Sequence, residues 1–135
     1  MLQPSRNFFK DLSICVSGSS FDFFMKLKTI VEYFGGTFQG DFYRYQTTHL
    51  LAYNLDSEKC KQAIKWNITI IHPWWIFQCL EQHQIISVSN FKLSGPLHTS
   101  FICYLEEHAL LYYNTCLNAQ KSIAVDDEMV SEVSH

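Results

Sequence analysis

Four small residues, Ser17, Gly18, Ser19 and Ser20, follow a short apolar segment at 12–16 and precede a helical pattern. Serine hydroxyls can donate hydrogen bonds to an anion, and glycine leaves the backbone N–H open to close approach. A strand that ends in these residues could therefore receive a phosphate group. The same residues also suit a tight turn whose serine caps the next helix, and their types alone leave both interpretations open.

Other reactive residue types lack the spacing that enzymes and metal sites require. No GK[ST] sequence follows SGSS, which excludes a nucleotide-binding P-loop. The five cysteines form no CxxC pair and the six histidines no HxxxH pair, so the spacing favours neither zinc nor a catalytic Cys–His pair. We predict free thiols in a reducing compartment, no catalytic residue, no metal and no cofactor.

Length and charge limit the classes of protein that this chain can represent. Its 135 residues suffice for one domain, and 47% of them are hydrophobic. Residues 1–98 carry nine basic and seven acidic side chains, whereas residues 99–135 carry one and six. Neither part resembles a polybasic nucleic-acid surface. The sequence shows no signal peptide and no apolar run of membrane length, so we expect no membrane partner.

The periodicity of apolar residues predicts alternating strands and helices. Strands are expected at 12–16, 37–39, 47–52 and 68–71, and helices at 21–34, 57–66 and 73–82. Gly35 and Gly36 would end the first of these helices. This alternation favours a parallel sheet covered on both faces. A further helix is expected at 101–120, apolar on most sides, which would dock on the domain or meet a partner. A polar and acidic tail follows at 121–135, and we expect it to be disordered.

Residues 6–94 resemble a BRCT domain. The motifs are VSG at the end of the first strand, GG after the first helix, TTHLLA as the third strand, and the W-x-x-x-C signature from Trp75 to Cys79. The resemblance implies an α/β fold: one BRCT domain with a four-stranded parallel sheet in the order 2-1-3-4, flanked by three helices. A helical extension at 95–120 and the acidic tail at 121–135 would follow this domain.

Within that family, EKCKQAIKWNITII is most similar to the phosphopeptide-binding repeats of replication-checkpoint scaffolds of the topoisomerase-II-binding-protein class. Those repeats have a lysine in the second helix and a tryptophan seven positions later, which here are Lys59 and Trp66. The resemblance implies a phosphate site of Ser17, Gly18 and Lys59, with Trp66 contacting the peptide. In the implied strand order, these segments meet at a topological switch point, where open sheets bind ligands.

One position departs from the pattern of those repeats. They usually carry a second basic residue seven positions after the residue equivalent to Ser17, and here that position is Phe24. Lys26 is close in sequence but falls on a different face of the helix. The resemblance therefore implies a phosphate site with one lysine.

The resemblance implies a non-enzymatic nuclear module that binds phosphoserine or phosphothreonine peptides in DNA-damage, DNA-repair or replication-checkpoint complexes. Its partner would be a phosphorylated protein of that machinery. An alternative is phosphate-independent pairing with a second BRCT repeat or a homodimer mate through residues 101–120, whose apolar surface needs a cover. A third possibility is binding to DNA ends, which the weak net charge of residues 1–98 disfavours.

Overall fold

The computed structural model describes the backbone of residues 7–133 and the side chains of residues 7–121. Along the chain it has the following elements: β1 (Ser13–Ser17), α1 (Phe21–Tyr33), β2 (Thr37–Gln39), β3 (His49–Ala52), α2 (Glu58–Lys65), β4 (Ile70–Ile71), α3 (Trp74–Gln82) and α4 (Thr99–Val133). The strands form one parallel sheet in the order β2-β1-β3-β4. The predicted α/β class, strand order and flanking helices are confirmed.

Strand β3 begins two residues later than predicted, because two threonine side chains take up hydrogen bonds at its start. The Oγ1 atom of Thr48 accepts the Ser13 N–H at 2.9 Å and lies 3.1 Å from the carbonyl oxygen of Ser13. The Oγ1 atom of Thr47 accepts the Tyr43 N–H at 2.9 Å and donates to Gln39 at 2.8 Å. Such side-chain bonds compete with the regular ladder, so the strand starts after them.

Strand β4 is shorter than predicted because helix α2 ends in a left-handed turn. Asn67 has a φ of 57°, and its N–H donates to the Ile64 carbonyl at 3.1 Å. The Ile68 N–H donates to the Ala63 carbonyl at 2.8 Å. This pair of bonds is the Schellman motif, which satisfies the last carbonyls of a helix. Residue 68 therefore belongs to the helix terminus, and the strand is limited to Ile70–Ile71.

The termini of α1 agree with the sequence pattern. The Oγ atom of Ser20 accepts the Phe23 N–H at 3.1 Å and caps the helix. At the other end Gly35 has a φ of 91°, and the Gly36 N–H donates to the Val31 carbonyl at 3.0 Å. Glycine adopts this left-handed conformation without steric cost, so the predicted role of the glycine pair is confirmed.

Two separate hydrophobic clusters cover the two faces of the sheet. The larger lies under α1, α3 and α4, where Trp75 is fully buried, donates its Nε1–H to the Ile86 carbonyl at 2.9 Å and stacks on His49 at 4.6 Å between ring centroids. Cys79 is also fully buried, so both residues of the W-x-x-x-C signature are core residues. The smaller cluster lies under α2 and contains Cys15, Leu50, Ala52, Cys60, Ala63, Ile70 and Leu93.

Helix α4 packs against its own domain. Leu105, Ala109 and Cys116 are buried, and Trp74 of α3 contacts the ring of His108 at 4.9 Å between centroids. The backbone is helical as far as Val133, past the predicted end at residue 120. The predicted division of the chain at residues 94 and 120 stays a prediction. Residue 6, where the domain is predicted to begin, and residues 134 and 135 of the tail lie outside the described residues.

Candidate functional site

A pocket of about 380 Å³ opens at the carboxyl end of β1. Its walls come from the end of β1, the first turn of α1 and the first turn of α2, and they comprise Val16, Ser17, Gly18, Ser19, Ser20, Phe21, Phe24 and Lys59. Three of the predicted site residues, Ser17, Gly18 and Lys59, therefore line one pocket. The fold brings them together because β1 and β3 are neighbours and α2 follows β3 directly.

Ser17 connects the end of β1 to the start of α2. Its side chain is 5% exposed, and its Oγ atom donates to Oγ of Ser57 at 2.6 Å. Ser57 caps α2 by accepting the Cys60 N–H at 3.1 Å. The sequence does not predict the contact of Ser57 with Ser17, because it joins positions 40 residues apart. The two hydroxyls fix the relative position of the strand end and the helix start.

Gly18 gives the pocket a wall without a side chain. Its φ is 82°, a conformation that side chains rarely adopt. A Cβ atom there would lie 3.3 Å from Nδ2 of Asn54, which is a tight contact. The backbone angle therefore favours glycine at this position, and any side chain there would also force the Asn54 side chain to shift by a few tenths of an ångström.

Lys59 is the cation of the pocket. Its Nζ atom donates to the Gly40 carbonyl at 2.6 Å and lies 3.5 Å from the Val16 carbonyl. The ion pairs among residues 7–121 do not include Lys59. Carbonyl oxygens orient an ammonium without neutralising it, and an ammonium has three N–H donors. Lys59 is thus half-buried and positioned while its full charge is available to an anion.

The position of the second basic residue is filled by an aromatic wall. The ring of Phe24 stacks with that of Phe21, with 6.3 Å between centroids, and packs edge-on against Phe38 at 4.9 Å. Lys26 does not line the pocket. It pairs with Asp22 at 2.5 Å. Within the described part of the chain, Lys59 is the one lysine or arginine that lines this pocket.

Trp66 lies away from the pocket, at the C-terminal end of α2. Its ring centroid is 5.5 Å from that of Phe42, and Cζ of Arg44 is 5.3 Å from its centroid. The sequence analysis missed Arg44, because no local pattern signals the approach of the β2–β3 loop to the end of α2. Of the four predicted site residues, three share the pocket and the fourth belongs to a separate aromatic cluster.

The acid–base properties of the nearby Cys15 thiol argue against a nucleophilic role for that residue. Burial raises the pKa of Cys15, and the Lys59 ammonium opposes that rise. The Cys15 thiol is therefore protonated at neutral pH, whereas a cysteine nucleophile must be a thiolate. No group of three His, Cys, Asp or Glu side chains in the described residues is arranged to hold a metal ion. None of the helices in the described part of the chain has the length and apolar character to cross a membrane.

The fold and the pocket define a small α/β domain with a crevice, lined by polar and aromatic residues, at the switch point of a parallel sheet. The sequence profile of the family described as BRCA1 C Terminus (BRCT) domain matches residues 4–80. The chain belongs to this family, whose domains serve as protein-interaction modules.

Two similar proteins come from Schizosaccharomyces pombe. The S-M checkpoint control protein rad4 is 30% identical over 71 residues, which are 53% of this chain and 11% of that protein. BRCT-containing protein 1 is 30% identical over 88 residues, 62% of this chain and 10% of that protein. The chain thus spans about a tenth of the length of these relatives.

A solved structure of Rad4 BRCT1,2 in complex with a Crb2 phosphopeptide superposes with a TM-score of 0.61 at 24% identity. The match covers 64% of this chain and 47% of that one. At this identity the similarity establishes the fold.

Proposed function

We propose that the chain is a non-enzymatic module that binds phosphoserine or phosphothreonine peptides in DNA-damage, DNA-repair or replication-checkpoint complexes in the nucleus. The proposal rests on one observation: Ser17, Gly18 and Lys59 line the same pocket. The name of the similar rad4 protein assigns it to checkpoint control, which supports the cellular setting. The partner would be a phosphorylated protein of the same machinery.

The pocket offers a phosphate group complementary charge and donors. A phosphorylated side chain carries roughly −1.5 to −2 charges at neutral pH. Lys59 brings an ammonium without a carboxylate partner in the described residues. Ser17 brings a hydroxyl whose hydrogen would turn from Ser57 to a phosphate oxygen. Charge-assisted hydrogen bonds contribute about 1.5–3 kcal/mol each. An unphosphorylated serine or threonine would not form them, so the pocket should discriminate by phosphorylation.

Exposure to solvent affects the strength of this interaction. Phe21 of the aromatic wall is 76% exposed, so water reaches the pocket and screens the attraction between the ammonium and a phosphate. With a single lysine and a small pocket, we expect moderate affinity.

The proposal is tested by the loss of the lysine charge. We expect the wild-type protein to bind phosphothreonine and phosphoserine peptide pools more tightly than the matched unphosphorylated pools, as measured by fluorescence anisotropy. Lys59→Met keeps the aliphatic stem and removes the charge, and it should weaken phosphopeptide binding by about tenfold or more. Ser17→Ala should weaken it less, because the Ser17 hydroxyl must give up its hydrogen bond to Ser57 before it can donate to the phosphate.

Lys61→Met is the matched control for the lysine variant. Lys61 is on the same helix, is exposed and pairs with Glu58 at 3.5 Å. The Lys61→Met variant should therefore bind phosphopeptides with the same affinity as the wild type. Thermal melting of each variant verifies that the fold is retained. Equal affinity for phosphorylated and unphosphorylated pools would contradict the proposed function.

Exposed apolar side chains on α4 support a second candidate, phosphate-independent pairing with another BRCT domain or a second copy. Tyr104, Leu110 and Leu111 are 46%, 48% and 63% exposed. However, α4 buries Leu105 and Ala109 against its own domain, so part of its apolar surface already has a cover. Sedimentation equilibrium tests pairing with a second copy: a dimer that Leu111→Glu dissociates supports it, and a monomer at all accessible concentrations contradicts it.

A further inference from the structure

Arg44 is held between two aromatic rings at the C-terminal end of α2. Its Cζ atom lies 5.2 Å from the ring centroid of Tyr45 and 5.3 Å from that of Trp66. Both distances are within the range of cation–π attraction, about 6 Å. Arg44 is exposed, and the ion pairs of the described residues do not include it. The rings therefore position a guanidinium whose charge remains available to a partner.

This guanidinium lies on the same face of α2 as the lysine of the pocket. Lys59 and Trp66 are seven positions apart, which is close to two helical turns and about 10 Å along the axis. The β2–β3 loop follows that face, since the Gly40 carbonyl contacts Lys59 and the Phe42 ring contacts Trp66. An extended peptide advances about 3.3 Å per residue. A peptide anchored in the pocket would thus reach Arg44 about three residues away.

We propose that Arg44 forms a second anion subsite for the same peptide and binds an aspartate or glutamate about three residues from the phosphorylated residue. This inference rests on the proposed function. A guanidinium forms two parallel hydrogen bonds to a carboxylate, which favours an acidic side chain there. Trp66 and Tyr45 are positioning residues in this account, because they hold Arg44 rather than contact the carboxylate.

The composition of the loop favours a peptide over a nucleic acid as the ligand. Asp41 lies in the same loop and accepts a hydrogen bond from the Tyr43 hydroxyl at 3.3 Å, and its charge lowers the affinity for a carboxylate and for a phosphate alike. Nucleic-acid affinity grows with the number of phosphates contacted, and Arg44 is the single basic residue in the loop from Gly40 to Thr48. The guanidinium also covers one face of Trp66, which a stacking base would need.

The test uses a phosphothreonine peptide in which one aspartate is placed two, three or four residues away on either side, with alanine elsewhere. For the wild type we expect the aspartate to raise affinity about twofold to fivefold at about three residues on one side, the range for exposed ion pairs. Arg44→Gln should abolish this gain and keep the preference for phosphorylated peptide. Arg44→Lys should restore only part of it, because an ammonium lacks the planar pair of donors.

Two variants of Trp66 test whether this residue positions Arg44 or only stabilises the fold. Trp66→Leu should reduce the aspartate gain, and Trp66→Phe should restore most of it, because it returns an aromatic face to the guanidinium. Lys65→Gln is the matched control: it removes an equal charge from exposed α2 surface and should leave the gain unchanged.

The outcomes distinguish this inference from the proposed function. Phosphate-dependent binding without an aspartate preference overturns the role of Arg44 and leaves the phosphate pocket standing. Binding without phosphate dependence overturns both. Binding to single-stranded DNA at low salt that Arg44→Gln removes, with no aspartate preference in peptides, would assign the surface to nucleic acid and also overturn the inference.

Discussion

The two faces of the sheet differ in how they are packed, and the difference separates stability from binding. The face under α1, α3 and α4 has a large core rich in aromatic residues, with Phe9, Phe23, Phe77 and Trp75 almost completely buried. The face under α2 has a small cluster in which cysteine and alanine predominate. The proposed binding residues Lys59 and Arg44 lie on or beside α2. We infer that the first face stabilises the fold, so residues of the second can change with little loss of stability.

The largest expected effect is on the first face. Trp75→Ala should lower the free energy of unfolding by about 3–5 kcal/mol, because it leaves a cavity and an unpaired Ile86 carbonyl. Cys60→Ala under α2 should lower it by only about 1 kcal/mol, because one heavy atom is removed. Urea denaturation measures both values. Similar losses for the two variants would contradict the proposed asymmetry.

A smaller expected effect is the pH dependence of the free energy of unfolding, which arises from two histidines on the first face. Burial lowers the pKa of His49, which stacks on Trp75, and of His72, which contacts Phe101 of α4. The folded protein therefore keeps both imidazoles neutral while the unfolded chain binds protons near pH 6.5. Above that pH both histidines are neutral in either state, and the free energy of unfolding has its full value. As the pH falls toward the lower pKa values of the folded state, the unfolded chain takes up protons first, and the free energy of unfolding decreases.

The measurement is the free energy of unfolding of the wild type and of His49→Phe at about pH 7.5 and 5.5. The variant retains an aromatic ring against Trp75 and should lose less stability on acidification than the wild type. An equal loss in both proteins would mean that His49 does not contribute to the pH dependence.

The smallest expected effect connects the two faces. Oε1 of Glu106 on α4 lies 3.5 Å from Oγ of Ser20, which lines the pocket. Its negative charge opposes a bound phosphate, so Glu106→Gln should raise phosphopeptide affinity by up to about fivefold, the upper range for exposed charges. Glu107→Gln is the control and should have less effect. Unchanged or weaker binding in Glu106→Gln would show that α4 does not influence the pocket.

Most of the fold could be predicted from sequence because its signals are local. Apolar spacing locates α1, the serines at 19 and 20 mark its start to within one residue, and the glycine pair locates its end. The strand boundaries were less accurate, because Thr48 hydrogen-bonds across to β1 through its side chain and Asn67 extends the end of α2. Neither interaction leaves a mark in hydrophobic periodicity. The sequence also did not determine that α4 docks on its own domain. An apolar helix surface indicates that the surface is buried, but it does not tell whether the same domain or a partner buries it.

The candidate site was predictable to the extent that the resemblance supplied it. Ser17, Gly18 and Lys59 share the pocket that the strand order implies. Trp66 is in a different cluster, because it is two turns further along α2. The contact of Trp66 with Arg44 depends on the path of the β2–β3 loop, which no sequence pattern specifies.

The central claim is that a phosphate group binds between Ser17, Gly18 and Lys59. The most direct measurement is an amide NMR titration of the full chain with a phosphothreonine peptide and with the same peptide unphosphorylated. Our account predicts the largest shifts at Gly18, Ser19 and Lys59, and only with the phosphorylated peptide. Shifts centred on α4, or identical shifts with both peptides, would contradict it.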